Sequence, residues 1–478
     1  MNPAPTLDPP DWDAFRAQGH RMLDDMVDYL RGIRERPVWR PIPDAVRGAL
    51  REPVPRGPTA LAEVHESFLQ HVLPYAVGNA HPGFFGWVHG GGTPVGMLAE
   101  MLAGGLNANL GGRDQMPVEV ERQVAEWARE LFGFPAGASG LFVTGTSMAN
   151  LLGVLVARTA ALGAESRRRG LAASGGGALT AYASAAAHGS VARALDFAGL
   201  GSDALRLVGV DGAHRVDVPA LERAIAADRT AGRRPFLIVG TAGTVDVGAI
   251  DDLDALARIA AREGMHLHVD GACAALAVLV PELAPRLRGI ERADSIAFDF
   301  HKWGQVPYDA GFFLARERDA QLAAFAAPAA YLRRDTRGLA AGSPWPCDLG
   351  PDLSRGFRAL KAWFTLKVLG TDALAEAIRG TCRLAQRLAA RIEREPRLEL
   401  LAPVPLNIVC FRHRGAEPDA LNAAIVRVLH ESGLAAPSTT VLDGRLAIRA
   451  AIVNHRTEAR DIDTLVDAVL RFGAAGPT

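Results

Sequence analysis

The sequence predicts an α/β protein built on a mainly parallel sheet of seven strands, with helices on both faces. Two observations predict it: short apolar stretches recur between residues 140 and 315, and amphipathic stretches of helical length separate them. Strands that alternate with helices form parallel sheets because each crossover helix returns the chain to the same end of the sheet. The predicted strands are 141–144, 179–183, 205–210, 235–240, 266–269, 295–298 and 311–314.

The residues before the sheet region are predicted to be helices and linkers. Apolar residues recur at helical spacing in 12–33 and in 61–73, and several prolines in 36–58 exclude a long regular element. These helices have too few apolar residues for a core of their own. We therefore expect them to pack against another part of the protein, such as a second subunit.

The residues after the sheet region are predicted to form a small α/β domain. A chain of 478 residues is longer than one hydrophobic core usually organises. We predict three parts: N-terminal helices and an arm (1–80), a large α/β domain (81–360) and a small C-terminal α/β domain (361–478). The predicted elements near the C-terminus are a helix through Arg358 and Leu366, helix 371–393, strand 407–412, helix 418–432, strand 445–453 and helix 458–472.

Composition excludes several classes of protein. With 52 basic and 53 acidic side chains the net charge is close to zero, so we expect no nucleic-acid partner. The apolar stretch 272–280 is shorter than the ~20 residues that cross a membrane. Residues 1–10 are proline-rich and acidic, unlike a secretory signal. The four cysteines are far apart, which indicates neither a zinc ribbon nor a disulfide framework, and we expect a cytoplasmic protein.

The segment 266–273, His-Leu-His-Val-Asp-Gly-Ala-Cys, is predicted to be a strand that ends on Asp270. Open α/β sheets bind ligands at the carboxyl ends of their strands, so this carboxylate indicates a site. An aspartate there can keep a pyridine nitrogen protonated, which turns the ring into an electron sink. The structural alternative is an aspartate that caps a helix. A metal site at His266 and His268 is another alternative, but no third ligand of suitable spacing is apparent.

Lys302 lies in the segment 295–303, Ser-Ile-Ala-Phe-Asp-Phe-His-Lys-Trp, where another strand runs into a turn. Apolar surroundings lower the pKa of an ammonium group and leave the neutral amine that imine formation requires. We therefore expect a neutral, nucleophilic amine at Lys302. Most lysines are solvated surface charges, but the neighbouring His301 and Trp303 and the preceding aspartate strand favour a site.

Two further segments can contribute to the same site. In 141–151 a strand meets a turn that opens a helix, where Gly145 permits close approach of a phosphate and Thr146 and Ser147 offer hydroxyl groups to it. The same residues are also ordinary helix caps. His188 follows the strand 179–183 and can lie on the face of a ring and assist proton transfer. Its alternative role is structural.

Together these segments resemble the group II pyridoxal-5′-phosphate (PLP) dependent amino-acid decarboxylases, the family that includes aromatic-L-amino-acid decarboxylase. The resemblance runs from about residue 11 to residue 472. Its most specific element is Asp-Phe-His-Lys-Trp at 299–303, followed by Val-Pro-Tyr-Asp-Ala-Gly at 306–311. The resemblance implies the PLP-dependent transferase fold (fold type I), PLP as cofactor, and a homodimer with active sites at the interface.

The resemblance also implies roles for individual residues. Lys302 carries PLP as an imine, Asp270 pairs with the pyridine nitrogen, His188 stacks on the ring and Ala272 packs against its other face. Tyr331 is similar to the mobile-loop tyrosine that protonates the substrate carbon after carbon dioxide leaves, whereas a phenylalanine there would indicate aldehyde-forming relatives. The other residues implied to bind the cofactor are Gly145, Thr146, Ser147, Thr244, Asp299 and His301.

The predicted reaction is decarboxylation of an L-amino acid to its amine and carbon dioxide. The segment 81–87 resembles the family's substrate-pocket strand, in which Phe84 and Trp87 favour an aromatic substrate, and Arg449 matches a basic substrate-binding position. Arg113 can instead receive a carboxylate, which leaves an acidic amino acid open. Decarboxylation of a diamino acid is a further alternative. Aldehyde synthesis, transamination and aldol cleavage on the same fold are alternatives, and so is a catalytically silent dimeric binding protein.

Overall fold

The structure is a computed structural model that describes residues 6–326 and 334–475. Its strands are β1 (Phe84–Phe85), β2 (Ser139–Val143), β3 (Leu179–Ser184), β4 (Leu205–Val208), β5 (Arg234–Thr241), β6 (His266–Asp270), β7 (Ser295–Asp299), β8 (Gly311–Ala315), β9 (Leu398–Leu400), β10 (Ile408–His413), β11 (Ala436–Leu442) and β12 (Arg445–Ala451). Its α-helices are α1 (Trp12–Arg31), α2 (Asp44–Ala49), α3 (Leu61–His71), α4 (Pro94–Leu106), α5 (Met116–Leu131), α6 (Thr146–Leu162), α7 (Ser166–Arg169), α8 (Ser190–Phe197), α9 (Val218–Thr230), α10 (Leu253–Glu263), α11 (Arg318–Phe325), α12 (Arg358–Arg394), α13 (Pro418–Ser432) and α14 (Ala459–Ala475).

Strands β2 to β8 form the large sheet in the order β2-β8-β7-β6-β5-β3-β4. Strand β8 is antiparallel to both of its neighbours, and the other neighbouring pairs are parallel. The predicted α/β fold with a mainly parallel sheet of seven strands is therefore confirmed, with strand ends within two residues of the predicted ones. Residues of β7 and β8 are buried throughout, as expected when helices cover both faces.

A second sheet has the order β1-β11-β12-β10-β9. The predicted strands 407–412 and 445–453 are confirmed as β10 and β12, and the helix between them is α13. Strand β1 lies before the large sheet in sequence but pairs in parallel with β11, near the C-terminus. This pairing was not predicted, because a two-residue strand has no periodicity of its own. The division of the chain at residues 80 and 360 stays a prediction.

The helices agree with the sequence in most places. Helix α1 begins at Trp12 as predicted, and α12 contains a break at Gly370, whose φ of 77° separates the two helices that were expected there. The Arg-rich segment 166–169 forms the short helix α7. No helix within the described residues combines the length and the apolar character needed to span a bilayer.

The connections between strands place the polar residues at one edge of the large sheet. Asp270 ends β6 and Asp299 ends β7, and parallel strands bring their carboxyl ends to the same edge. Gly311 begins β8 beside the turn that follows β2. A Cβ atom at Gly311 would lie 2.3 Å from the Cα of Gly145. Only glycine permits this close approach, which holds the turn before α6 against the start of β8.

Candidate active site

A cavity of about 370 Å³ opens at the carboxyl edge of the large sheet. Trp87 lies at its exposed side, while Thr244, Phe84 and Arg449 do not line it. The predicted residues that lie on its wall are Gly145, Thr146, Ser147, His188, Asp270, Ala272, Asp299, His301 and Lys302. A larger open cleft of about 790 Å³ lies between α5 and residues 342–349 and is lined by other side chains. The smaller cavity is therefore the candidate active site.

Lys302 forms an ion pair with Asp299, with 2.9 Å between Nζ and Oδ2. Burial by itself lowers the pKa of Lys302, but the attraction of the Asp299 carboxylate outweighs it, so this pKa lies above its ordinary value. The expectation of a neutral amine is therefore wrong for the protein without its cofactor. Lys302 is an ammonium group there because a carboxylate three residues earlier on the same turn compensates for the apolar surroundings.

The turn between β2 and α6 contains the groups expected to bind a phosphate. Thr146 begins α6, and its Oγ1 is buried without a hydrogen-bond partner among the described residues. The N–H of Thr146 donates to Oδ1 of Asp299 at 2.8 Å, so this carboxylate lies at the N-terminus of the helix. A positive helix end and an unpartnered buried hydroxyl are suited to an anion. The structure thus fits a phosphate at this turn, with Asp299 as its close neighbour.

His301 lies beside the same turn and is buried. Its Nδ1 accepts the backbone N–H of Ala310 at 3.0 Å, so the proton of the neutral ring is on Nε2, which is 3.6 Å from Oδ1 of Asp299. Burial lowers the pKa of His301 to about 4. At neutral pH His301 is therefore an uncharged hydrogen-bond donor at the predicted phosphate position.

Asp270 ends β6 and lies on the wall of the same cavity. Its Oδ1 accepts the backbone N–H of Ala272 at 3.1 Å and its Oδ2 accepts Nδ2 of Asn150 at 2.8 Å. Asp270 is only 3% exposed. Donors on both oxygens fix the direction of the carboxylate, which is what pairing with a ring nitrogen requires.

His188 lies on the cavity wall just before α8. Its Nδ1 accepts the backbone N–H of Ser190 at 3.2 Å and lies 2.8 Å from Oγ of Ser190. Because Nδ1 is an acceptor, the proton of the neutral imidazole is on Nε2. The Nε2 atom of His188 is therefore the ring nitrogen that can donate a hydrogen bond.

The structure places three other predicted residues away from the cavity wall. Arg449 is 3% exposed, and its guanidinium donates to the backbone carbonyls of Val245 and Trp87. Thr244 uses Oγ1 to accept the N–H of Ala249, and Phe84 is buried in β1. Their proposed contacts with cofactor and substrate stay predictions.

Two further residues, Tyr331 and Arg113, were considered for the reaction and for substrate binding. Tyr331 lies outside the described residues. Arg113, which was considered as a carboxylate receiver, has its guanidinium over the ring of Trp345, with 4.5 Å to the ring centroid. It is not among the residues on the cavity wall.

The mouth of the cavity is aromatic, and the sequence analysis missed part of it. The rings of Trp87 and His89 stack with centroids 5.8 Å apart, and His89 meets Tyr308 edge-on at 5.7 Å. Tyr308 also packs against His301, with 4.1 Å between ring centroids. Tyr308 lies in the Val-Pro-Tyr-Asp-Ala-Gly motif, and that position was the available signal. His89 follows the 81–87 segment directly but carried no motif of its own.

The two histidines considered for a metal site have other partners. His266 and His268 both lie within hydrogen-bond distance of Oγ of Ser295, at 2.9 and 2.8 Å. His268 also contacts Oδ1 of Asn150. Across residues 6–326 and 334–475, no group of three or more His, Cys, Asp or Glu side chains is placed to hold a metal ion.

Residues 43–414 match the family model described as the pyridoxal-dependent decarboxylase conserved domain. The chain belongs to this family. It is a PLP-dependent carboxy-lyase. Two similar relatives are aromatic-L-amino-acid decarboxylases: that of Bacillus atrophaeus is 32% identical over 94% of this chain and 93% of its own length. That of Sus scrofa is 33% identical over 93% of each chain.

Solved structures show the fold of this decarboxylase. The Oryza sativa TDC solved with PLP and tryptamine aligns with a TM-score of 0.90 and 24% identity, over 98% of this chain and 99% of that chain. Mouse CSAD aligns with the same TM-score and identity over 97% and 99%. These neighbours confirm fold type I.

The cavity of the decarboxylase fits PLP on its own geometry. An acid, a lysine and an anion site all lie on its wall. The buried Oγ1 atoms of Thr146 and Thr241 also lie there, and neither has a hydrogen-bond partner among the described residues. The volume of about 370 Å³ is within the range of small-molecule sites.

Proposed function

We propose that this decarboxylase acts on an aromatic L-amino acid and releases the amine and carbon dioxide. The observation that carries the proposal is a single cavity that has Lys302 and Asp270 on its wall and the aromatic rings of Trp87 and Tyr308 at its mouth. The relatives named as aromatic-L-amino-acid decarboxylases support the same substrate class.

The proposed roles follow from the position of each side chain. Lys302 would hold PLP, Asp270 would face its pyridine nitrogen, His188 and Ala272 would contact the ring, and the β2–α6 turn with His301 would hold the phosphate. When bound, PLP supplies an electron sink for the bond pair that carbon dioxide leaves behind. Asp270, whose two oxygens are fixed by donors, would present its carboxyl group to the ring nitrogen.

A proton must return to the substrate α-carbon after decarboxylation. His188 carries its ring proton on Nε2, because Nδ1 accepts from Ser190. Tyr331 is proposed as the other donor on the basis of the family resemblance. A tyrosine at this position favours amine release over aldehyde formation.

The first experiment identifies the substrate. Purified holoenzyme is supplied with L-tryptophan, L-tyrosine, L-phenylalanine, L-glutamate and L-2,4-diaminobutyrate, and carbon dioxide and amine are measured together. Release of both from an aromatic amino acid supports the proposal. Preference for glutamate or diaminobutyrate would contradict the substrate class, and an aldehyde with ammonia and peroxide would contradict the reaction.

A Lys302→Ala variant tests the cofactor attachment. We expect loss of turnover and of the visible absorbance of the bound cofactor, because no other residue is proposed to bind PLP covalently. Lys367→Ala is the matched control, since Lys367 is exposed on α12. Turnover at the wild-type rate in Lys302→Ala would refute the assignment.

We also propose a homodimer. Large apolar side chains are exposed on α1 and α4, including Trp12 at 60%, Met101 at 57% and Leu106 at 62%. Exposed apolar patches of this kind are stabilised when a partner covers them. Light scattering after gel filtration is expected to give the mass of two chains, and a mass of one chain would contradict the proposal.

We also propose that the enzyme is cytoplasmic, because its four cysteines are free thiols. Cys273, Cys347, Cys382 and Cys410 are free thiols, as expected in a reducing compartment. Fractionation of cells that express the tagged protein is expected to recover it with cytoplasmic markers.

A further inference from the structure

We propose that Asn150 is a positioning residue that joins the acid of the active site to its ring-face histidine. Asn150 lies in the second turn of α6, behind the cavity wall, and is 1% exposed. Its Nδ2 donates to Oδ2 of Asp270 at 2.8 Å and to Oγ of Ser190 at 3.0 Å. Its Oδ1 lies 2.9 Å from Nε2 of His268. One amide therefore contacts three buried polar groups.

The directions of these hydrogen bonds follow from the available protons. The carboxylate of Asp270 only accepts, so the amide nitrogen faces it and Oδ1 must face His268. Burial lowers the pKa of His268 to about 3, so the ring is neutral with one N–H, which Nε2 donates to Asn150. Nδ1 of His268 then accepts the hydroxyl proton of Ser295. A flipped amide would place two acceptors together at Asp270.

The hydrogen bond from the Asn150 amide to Ser190 bears on which ring nitrogen of His188 carries the proton. Ser190 accepts from Asn150 through Oγ, so its hydroxyl proton is free to go to Nδ1 of His188, 2.8 Å away. The backbone N–H of Ser190 donates to the same nitrogen. Two donors at Nδ1 keep the ring proton on Nε2. Asn150 thus orients the Asp270 carboxylate and supports the His188 tautomer at the same time.

The packing behind the sheet holds this arrangement closely. Gly153, one turn beyond Asn150 on α6, lies against the ring of His268. A Cβ atom at Gly153 would be 2.5 Å from Nδ1 of His268. The helix therefore approaches β6 closely enough for the side chain of Asn150 to reach Asp270.

This inference rests on the proposed roles of Asp270 and His188. We expect Asn150→Ala to raise the dissociation constant of PLP at least about tenfold, since it removes a donor to a charged group. The visible absorption spectrum of the holoenzyme should also change, because the carboxylate beside the ring nitrogen is free to turn. Asn150→Asp should be more damaging than Asn150→Ala, because it keeps the acceptor for His268 but puts a second carboxylate beside Asp270.

Asn422→Ala is the matched control for the loss of a buried amide. Asn422 is fully buried and bonds the backbone of His413 and Pro418, far from the cavity. The Asn422→Ala variant is expected to have a lower melting temperature and an unchanged PLP affinity and absorption spectrum. If Asn150→Ala also loses only melting temperature, Asn150 is merely structural and the proposal is overturned.

A second variant keeps the test decisive if Asn150→Ala does not fold. Ser190→Ala removes the hydroxyl that links Asn150 to Nδ1 of His188 and keeps the hydrogen bond from Asn150 to Asp270. We therefore expect kcat for the substrate found in the screen to fall while PLP affinity stays within about twofold. A wild-type kcat would overturn the proposal. Failure of the wild-type protein to bind PLP would instead refute the proposed site itself, so the two results are distinguishable.

Discussion

At the scale of single residues, the charge of Lys302 is where the structure differs most from the sequence-based expectation. Apolar neighbours predicted a neutral amine, but Asp299 pairs with Lys302 and keeps it protonated. A carbonyl is attacked by the free amine, so the proton on Lys302 must leave before the lysine can bind its cofactor. Asp299 is adjacent to this proton and is itself buried.

Asp299→Asn is expected to lower the pKa of Lys302. Without the carboxylate, burial remains as the main influence, and it disfavours the ammonium form. The asparagine keeps an oxygen for the N–H of Thr146, so the turn should stay folded. The measurement is the pH dependence of amine-reagent labelling at Lys302 in cofactor-free protein, read by mass spectrometry. The midpoint should move to lower pH by more than one unit, and an unchanged midpoint would contradict the role of Asp299.

The residues of the site differ in how visible they are in the sequence. Asp270, Lys302 and His188 stand at strand ends within motifs and were predicted. Asn150 and Ser190 were missed because each reads as an ordinary residue at the start of a helix. Their roles depend on α6 packing behind β6 and on α8 beginning beside it, which no local pattern encodes.

At the scale of elements, the turn between β2 and α6 depends on its contact with β8. The sequence predicted both strands and the turn, but not that Gly145 and Gly311 would touch. β8 runs antiparallel between β2 and β7, so its first residue meets the last residues of both. The predicted phosphate site therefore lies where the last residues of β2 and β7 meet the first residue of β8.

Gly311→Ala is expected to destabilise the protein by about 1–3 kcal/mol and to weaken PLP binding. The added Cβ would lie within 2.6 Å of three backbone atoms of Gly145, which cannot move aside independently. Urea unfolding and PLP titration give the two quantities. Gly137→Ala is the control, because a Cβ there meets no atom within 4 Å. Equal stability of the two variants would show that the close approach does not constrain the turn.

At the scale of the whole molecule, the buried neutral histidines His268 and His301 make the free energy of unfolding depend on pH. Burial lowers the pKa of His268 to about 3 and that of His301 to about 4. A histidine whose folded pKa is lowered stabilises the fold fully above the unfolded value of about 6.5. That contribution is lost as pH falls through the window from about 6.5 toward the folded values.

The cofactor-free protein should therefore lose stability between pH 6.5 and pH 4. A pKa difference of one unit corresponds to about 1.4 kcal/mol, so the loss should reach several kcal/mol. Urea midpoints at pH 7.5 and pH 5.0 measure it. His268→Gln should be less stable at pH 7.5 but lose less on acidification. A midpoint that does not change between the two pH values would contradict the assignment of neutral buried histidines.

The sequence by itself determined the order of strands and helices, the edge at which Asp270, Asp299 and Lys302 meet, and the family. Those features follow from local periodicity and from residues that stand directly at strand ends. The tertiary structure decided the charge of Lys302, the burial of Arg449 against backbone carbonyls, the pairing of β1 with β11 and the central position of Asn150. Each of these depends on distances between groups that chain folding brings together, and electrostatic and hydrogen-bond energies are set by those distances and by burial.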